Sequence, residues 1–152
     1  MNYFLDTNLL LVYIRNNIQA KQIEQDLRLF GGTHNLITSV VSVGELKSIA
    51  KQNKWGNRKI QEMEDVLSDF LVADINSEDV LERYAEIDAF SQGKLTGTKS
   101  EFSSRNMGKN DLWIAATASI LQAQFLTTDR DFEHLADKYI KLQTIRLEDY
   151  TP

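Results

Sequence analysis

The sequence predicts an α/β domain built on a mainly parallel sheet. Short apolar runs such as "YFL", "NLITS" and "QFLTT" alternate along the chain with longer segments whose apolar residues recur at helical spacing. This alternation is typical of parallel sheets, because each crossover between parallel strands needs a connection of about helix size. The chain has 152 residues and contains no stretch with the composition of a linker. We therefore expect residues 1–152 to form one domain.

The N-terminal half divides into two strands and three helices. "YFL" predicts the first strand. Two helices are expected over 8–16 and 20–30, and the glycine pair at 31–32 predicts the end of the second. "NLITS" predicts the next strand, and Val43, Leu46 and Ala50 lie at the spacing of a helix over 40–52.

The C-terminal half continues the alternation. A helix over 57–69 precedes the strand "FLVADI", after which Ser77 is placed to cap a helix that runs to about residue 91. A polar segment follows. The remaining expected elements are a helix from Asn110 to Leu121, the strand "QFLTT", a short helix near 130–137 and a last strand within 140–147.

Composition excludes several classes of protein. Hydrophobic residues make up 42% of the chain and charged residues 26%, which is typical of a globular domain and not of a disordered chain. No apolar run approaches the ~20 residues of a membrane helix. The N-terminus "MNYFLDTN" lacks the features of a signal peptide, so we expect a cytoplasmic protein. The absence of cysteine excludes a thiol nucleophile, disulfides and thiolate metal sites.

The charge is distributed unevenly. The net charge is −5, but residues 60–92 contain ten acidic residues against Arg83 alone, so the rest of the chain is net basic. Two basic stretches stand out: Lys47, Lys51, Lys54, Arg58 and Lys59 around Trp55, and Lys94, Lys99, Arg105 and Lys109 later in the chain. Such stretches are often only solvated helix faces, yet they also suit phosphate groups. The distribution leaves a nucleic-acid partner open.

Four acidic residues are placed to meet at one edge of the predicted sheet. Asp6 and Asp129 directly follow strands, and in parallel sheets the functional crevice lies beyond the carboxyl ends of the strands. Glu45 borders an apolar helix stripe between Val41 and Ile49. Asp111 lies in the first turn of its helix. Each also has a structural explanation, as a helix cap, a helix-start charge or a boundary residue.

Convergent carboxylates repel one another unless they are protonated or bind cations. Oxygen ligands without nearby cysteine or histidine favour hard ions, Mg²⁺ or Mn²⁺, over Zn²⁺. One or two such ions can bind a phosphodiester, activate a water and stabilise the departing oxygen. This combination predicts a metal-dependent nuclease.

Four segments resemble the PIN domain, and specifically VapC-type toxins of bacterial toxin–antitoxin pairs. They are "FLDTN", "TSVVSVGEL", "NDLWIAATA" and "FLTTDRDF", and together they span nearly the whole chain in the family's order. The resemblance implies a three-layer α/β/α fold and a Mg²⁺- or Mn²⁺-dependent endoribonuclease. It also implies an RNA substrate, a small VapB-like antitoxin whose tail blocks the site, and a homodimer.

The resemblance assigns roles to individual residues. The acidic positions of the family fall on Asp6, Glu45, Asp111 and Asp129. Asp6 and Asp111 are expected to bind metal directly, Glu45 to bind metal or orient the attacking water, and Asp129 to bind through water or complete a second ion. Asp131 is an alternative to Asp129. The supporting residues are expected to be Thr7, Asn8 and Thr128, although a strand-end hydroxyl such as Thr128 also suits a backbone hydrogen bond.

Residues 93–109 are expected to form a loop. This loop is longer than the corresponding loop in the shortest members of the family. Loops of this length and composition are often lids, binding segments or disordered segments. Our hypothesis is that Lys94, Lys99, Arg105 and Lys109 contact the RNA backbone, against the alternative of a solvated connection without a role.

Two other functions compete with the nuclease. A non-catalytic PIN-like module would bind RNA or protein without cutting, and the presence of all four acids argues against it. A receiver-like phosphoacceptor would need adjacent acids after its first strand, whereas "FLDTN" supplies one.

Overall fold

The computed structural model describes residues 1–97 and 102–150. In this part of the chain five strands alternate with six α-helices and two short 3₁₀ helices. The strands are β1 (Asn2–Leu5), β2 (Asn35–Ser39), β3 (Phe70–Ala73), β4 (Gln124–Thr127) and β5 (Lys141–Thr144). The helices are α1 (Thr7–Arg15), α2 (Ile18–Leu27), α3 (Val40–Gln52), α4 (Asn57–Leu67), α5 (Glu78–Ser91) and α6 (Lys109–Leu121). The 3₁₀ helices span Arg130–Leu135 and Leu147–Asp149.

The strands form one sheet in the order β3-β2-β1-β4-β5, and every pairing is parallel. The chain moves outward from β1 in one direction through β2 and β3, then returns to the other side of β1 with β4. The β1/β4 boundary is therefore the point where the strand order reverses. Parallel α/β sheets open a crevice at the carboxyl ends of the strands at such a point.

The core lies on both faces of the sheet, because successive strand residues point to opposite sides. Phe4 and Phe125 belong to one buried cluster, which α5 and α6 cover. Their neighbours Leu5 and Leu126 belong to the other, which is covered by α1, α2, α4 and Leu46 of α3. Helices on both faces give the three-layer α/β/α architecture, and the predicted fold class is confirmed.

The observed elements follow the predicted ones closely, with one informative difference. The second helix was expected to stop at the glycine pair 31–32, but α2 ends at Leu27 and Arg28 takes the left-handed cap with a φ of 50°. The Glu24 carboxylate accepts hydrogen bonds from the backbone N–H groups of Leu29 and Phe30 at 3.1 and 2.9 Å. The Glu24 side chain thus satisfies the backbone N–H groups that follow α2, and the helix ends before the glycine pair.

No helix in residues 1–97 or 102–150 combines the length and apolar character that crossing a membrane requires.

Candidate metal and nuclease site

Asp6 directly follows β1 and is only 3% exposed. Its Oδ1 accepts a hydrogen bond from the Leu9 backbone N–H at 3.0 Å and so caps α1, while its Oδ2 accepts one from Thr127 Oγ1 at 2.5 Å. Burial raises the pKa of Asp6 to about 7; the two hydrogen bonds oppose the shift, and the charges of Asp129 and Asp111 add to it. The carboxyl group is therefore held in an environment that disfavours its charge.

Glu45 reaches the same edge of the sheet from α3. The Thr7 hydroxyl, in the first turn of α1, donates to Glu45 Oε1 at 2.7 Å. Thr7 Oγ1 also lies 2.9 Å from the buried Ser42 Oγ, and since Thr7 has only one hydroxyl proton, Ser42 supplies the proton for this contact. These hydrogen bonds join Thr7 of α1 to Ser42 and Glu45 of α3. Because Thr7 directly follows Asp6, they bring Glu45 close to the N-cap of α1.

Asp111 lies in the first turn of α6 and is half-buried. The helix begins after Gly108, which offers no side-chain cap, and a Cβ built on this glycine would stand 3.8 Å from Asp111 Oδ2. Burial, together with the smaller effects of the charges of Asp129, Glu45 and Asp131, raises the pKa of Asp111 to about 6. Three carboxylates from two other segments, α3 and the segment after β4, thus lie close enough to act on Asp111.

Asp129 follows β4 and caps the 3₁₀ helix at Arg130–Leu135. Its Oδ1 accepts from the Asp131 backbone N–H at 2.9 Å, and its own N–H donates to Thr127 Oγ1 at 2.9 Å. Asp131 is exposed, although its charge still acts on Asp111. The structure thus brings Asp6, Glu45, Asp111 and Asp129 to one edge of the sheet, around the β1/β4 boundary.

The supporting hydroxyl next to Asp6 belongs to Thr127, not to Thr128. Thr127 is fully buried and bridges the Asp6 carboxylate to the Asp129 backbone. Thr128 is only partly buried, and Asn8 is exposed; within the described residues neither forms a side-chain hydrogen bond to these acids. Ser42, behind Thr7, is a second hydroxyl that the sequence analysis did not single out.

We expect Thr127→Val to destabilise the protein by about 1–3 kcal/mol, because the isosteric change leaves buried polar groups of Asp6 and Asp129 without their partner. Urea unfolding monitored by circular dichroism measures this difference. Thr128→Val is the matched control and is expected to change the unfolding free energy by less than about 0.5 kcal/mol. Equal losses of unfolding free energy in the two variants would show that the hydrogen bonds of Thr127 do not contribute specifically to stability.

The predicted RNA-contacting residues are only partly described. Lys94, Arg105 and Lys109 are exposed, and Lys99 lies outside the described residues. Lys109 belongs to the first turn of α6, one residue earlier than the helix was expected to begin. The Arg105 backbone N–H donates to the Ser91 carbonyl at 2.6 Å, which ties this part of the segment to the end of α5.

A divalent cation fits the donor set. The donors are carboxylate and hydroxyl oxygens, and the pKa values of Asp6 and Asp111 are raised first by burial and then by the charges of neighbouring carboxylates, both of which a bound cation would offset. In the described ranges no three or more Asp, Glu, His or Cys side chains already stand in a metal-binding arrangement. The four acids nevertheless lie at one edge of the sheet, and their carboxylate oxygens are the donors that Mg²⁺ and Mn²⁺ prefer.

Comparisons with known proteins agree with this architecture. The family model described as "PIN domain" matches residues 3–138. Among solved structures, VapBC2 from Rickettsia felis bound to a promoter DNA fragment is similar with a TM-score of 0.71 and 20% identity, and the match covers 95% of this chain and 98% of that one. VapBC-1 from nontypeable Haemophilus influenzae is similar with a TM-score of 0.66, 25% identity and the same coverage.

A DNA-bound VapBC from Salmonella typhimurium has a TM-score of 0.68 at 19% identity, again over 95% of this chain and 98% of that chain. A search of curated proteins gave no significant match. At these identities the structural likeness establishes the fold.

Proposed function

Because the chain belongs to the PIN domain family, we propose that it is a metal-dependent endoribonuclease that acts as the toxin of a toxin–antitoxin pair. One observation carries the proposal: a buried carboxyl group, Asp6, stands at the reversal point of the sheet with Glu45, Asp111 and Asp129 around it. A structural role alone would require only a cap at Asp6, and Asn or Ser would serve there without an uncompensated buried charge.

Asp6 and Asp111 are the residues that would hold the ion directly, and Mg²⁺ or Mn²⁺ suits their oxygen donors. When bound, the ion supplies neutralisation of the phosphodiester and activation of the attacking water. Thr127 and the Leu9 N–H fix both oxygens of Asp6, so the carboxylate is oriented before the ion arrives. This preorganisation lowers the cost of assembling the site.

Glu45 is placed to orient the attacking water. Thr7 occupies its Oε1, which leaves Oε2 to accept a proton or a hydrogen bond in the pocket. Asp129 would contribute through water or complete a second ion, since its Oδ1 already accepts from the Asp131 N–H. Attack of water on the phosphorus with departure of the 3′ oxygen would leave a 5′-phosphate and a 3′-hydroxyl.

The test of the proposed function is a cleavage assay on structured RNA with Mg²⁺, Mn²⁺ or EDTA. The proposal predicts internal cuts with either ion and none in EDTA. Zn²⁺ provides a further comparison, because a site of hard oxygen donors is not expected to prefer it. RNA that binds but stays intact with both Mg²⁺ and Mn²⁺ would favour the non-catalytic PIN-like module.

The toxin role implies a small partner protein. Similar solved structures include a toxin–antitoxin complex from Klebsiella pneumoniae and a member of the VapBC family of toxin–antitoxin systems from Mycobacterium tuberculosis. In this chain a groove of about 730 Å³ lies between α1, α2 and α4, with Tyr13, Ile14, Phe30 and Val66 on its walls. We propose that it receives an apolar segment of a VapB-like antitoxin, that the toxin is a homodimer, and that it acts in the cytoplasm, where its RNA substrate is found.

The toxin role predicts that expression of this chain arrests growth and that co-expression of a short neighbouring gene relieves the arrest. Co-purification of the two products would supply the physical evidence. A chain that neither arrests growth nor retains the neighbouring product would be a nuclease outside a toxin–antitoxin pair.

We expect replacement of Lys94, Lys99, Arg105 and Lys109 by alanine to weaken RNA binding and to reduce its salt dependence. Each lost phosphate contact lowers the slope of log K against log salt by about 0.7 for single strands, so four contacts would lower it by about 3. Fluorescence anisotropy at several salt concentrations measures both quantities. An unchanged slope would show that residues 93–109 are a solvated connection that does not contact RNA.

A further inference from the structure

A shallow groove leads away from the acidic residues along α3. It has a volume of about 480 Å³ and is lined by Gly44, Glu45, Ser48, Ile49 and Gln52 of α3 and by Asn110 of α6. Glu45 belongs to the acidic site, and Asn110 precedes Asp111. The groove therefore begins at the proposed site of cleavage and extends toward the C-terminal end of α3.

Positive charge follows the same direction. Lys47 and Lys51 do not line the groove; they are exposed on the solvent-facing side of α3, three residues after Gly44 and Ser48, which places them next to its outer edge. Lys54 lies in the turn that follows α3, where its backbone N–H donates to the Lys51 carbonyl at 3.3 Å. All three are exposed, and among the described residues none has a carboxylate within 4.0 Å, whereas Arg58 and Lys59 both pair with Glu62.

The nearby aromatic ring is already occupied. Trp55 is half-buried against the core on the α1 side of the sheet, and Lys59 Nζ lies 5.4 Å from its ring centroid. It is therefore poorly placed to stack on a base. The groove itself presents hydroxyl and amide groups. Gln52 Nε2 donates to Ser48 Oγ at 2.9 Å, which leaves the Ser48 O–H and the second amide proton of Gln52 to donate to phosphate oxygens, contacts that carry no code for base identity.

We propose that Lys47, Ser48, Lys51, Gln52 and Lys54, the α3 track, bind the sugar–phosphate backbone of a single RNA strand on one side of the scissile phosphate. The proposal rests on the proposed nuclease function, since it takes the acidic site as the point of cleavage. Within α3, from Glu45 to Gln52, the track is about 10 Å long at 1.5 Å per residue, enough for a short stretch of backbone. Its charge offsets the repulsion between RNA and the four acids.

The experiment compares two triple variants that change the net charge equally. Lys47→Ala, Lys51→Ala and Lys54→Ala remove the track, and Lys21→Ala, Lys138→Ala and Lys141→Ala remove exposed lysines elsewhere. Both sets are made with Asp111→Asn to keep the RNA intact. The probe is a short fluorescein-labelled single-stranded RNA of mixed sequence, and its anisotropy is measured at several salt concentrations.

The track variant is expected to bind about tenfold more weakly at low salt, with a salt slope lower by about 2, while the control variant changes little. Equal changes in the two variants would overturn the proposal, because they would reflect net charge alone. A lower sedimentation mass of the track variant would also overturn it and assign the lysines to a contact between protein chains.

The cleavage assay on the otherwise unaltered chain separates this proposal from the proposed function. Cleavage by that chain together with unchanged RNA binding by the track variant would remove only the α3 track. Weaker RNA binding by the track variant without cleavage by the unaltered chain would remove only the nuclease.

Discussion

Replacing Asp6 or Asp111 with asparagine is expected to lower RNA cleavage by more than about 100-fold, the loss that removal of an outer metal partner alone reaches. Asparagine keeps the size of each side chain, and at position 6 its amide oxygen can still accept the hydrogen bond from the Leu9 N–H. It removes the negative charge that a divalent ion requires. Initial rates with Mg²⁺ and with Mn²⁺, at about pH 8 where both acids are ionised, measure the effect.

Asp137→Asn is the matched control, because Asp137 is exposed and its φ of 65° is a conformation that asparagine tolerates. This variant is expected to cleave at the normal rate. Circular dichroism establishes that all three variants are folded. Substantial cleavage by the Asp6 and Asp111 variants would separate the activity from the acidic site and point to a contaminating nuclease.

The acidic positions were accessible to sequence reasoning because parallel strands impose a simple geometry. A residue that directly follows a buried strand lies at the carboxyl edge of the sheet, and Asp6 and Asp129 follow β1 and β4, which are neighbours in the observed sheet. Their proximity needed only the correct strand order. Glu45 and Asp111 needed in addition the orientation of their helices, which the adjacent apolar residues indicated.

The sequence did not indicate whether Thr127 or Thr128 supports Asp6. A half-exposed strand alternates polar and apolar residues and so reveals its phase, but a strand buried on both faces does not. In β4, Phe125 and Leu126 are both buried, in opposite core clusters. Nothing local therefore indicates which threonine turns toward Asp6, and the supporting hydroxyl was placed one residue too late.

The end of α2 shows a second limit. Glycine is the residue that most readily ends a helix, and the pair at 31–32 was a reasonable signal. Glu24 instead binds the turn after Leu27, and the Tyr13 hydroxyl donates to its Oε1 at 3.1 Å. This contact joins α2 to α1 and depends on tertiary packing, which a local glycine rule does not include.

In the absence of metal, the protein is expected to lose stability as the pH rises from about 4 to about 7. The folded-state pKa values of Asp6 and Asp111 are raised from 3.8 to about 7 and about 6, so the folded state binds more protons than the unfolded state across this window. The stability that comes from these protonated groups is present below the unfolded pKa and is lost as the pH rises through the folded values. Thermal unfolding in EDTA at several pH values measures the trend.

A divalent ion is expected to reverse this trend, because it binds the ionised carboxylates. At about 100 times its Kd, Mn²⁺ contributes about 2.7 kcal/mol, which raises the Tm of a domain of this size by about 5–10 °C. The increase should be largest near pH 8 and small near pH 5, where protons compete with the ion.

Asp6→Asn isolates the contribution of the site from that of other titrating groups. His134 acts in the opposite direction, since burial lowers its pKa and its protonation costs stability as the pH falls. The variant retains His134 but has no carboxyl group to ionise at position 6. Near pH 8 in EDTA it should unfold at a higher temperature than the unaltered chain, and it should gain much less from Mn²⁺. Equal stabilisation of both proteins by Mn²⁺ would place the ion away from Asp6 and remove the metal site on which the nuclease proposal depends.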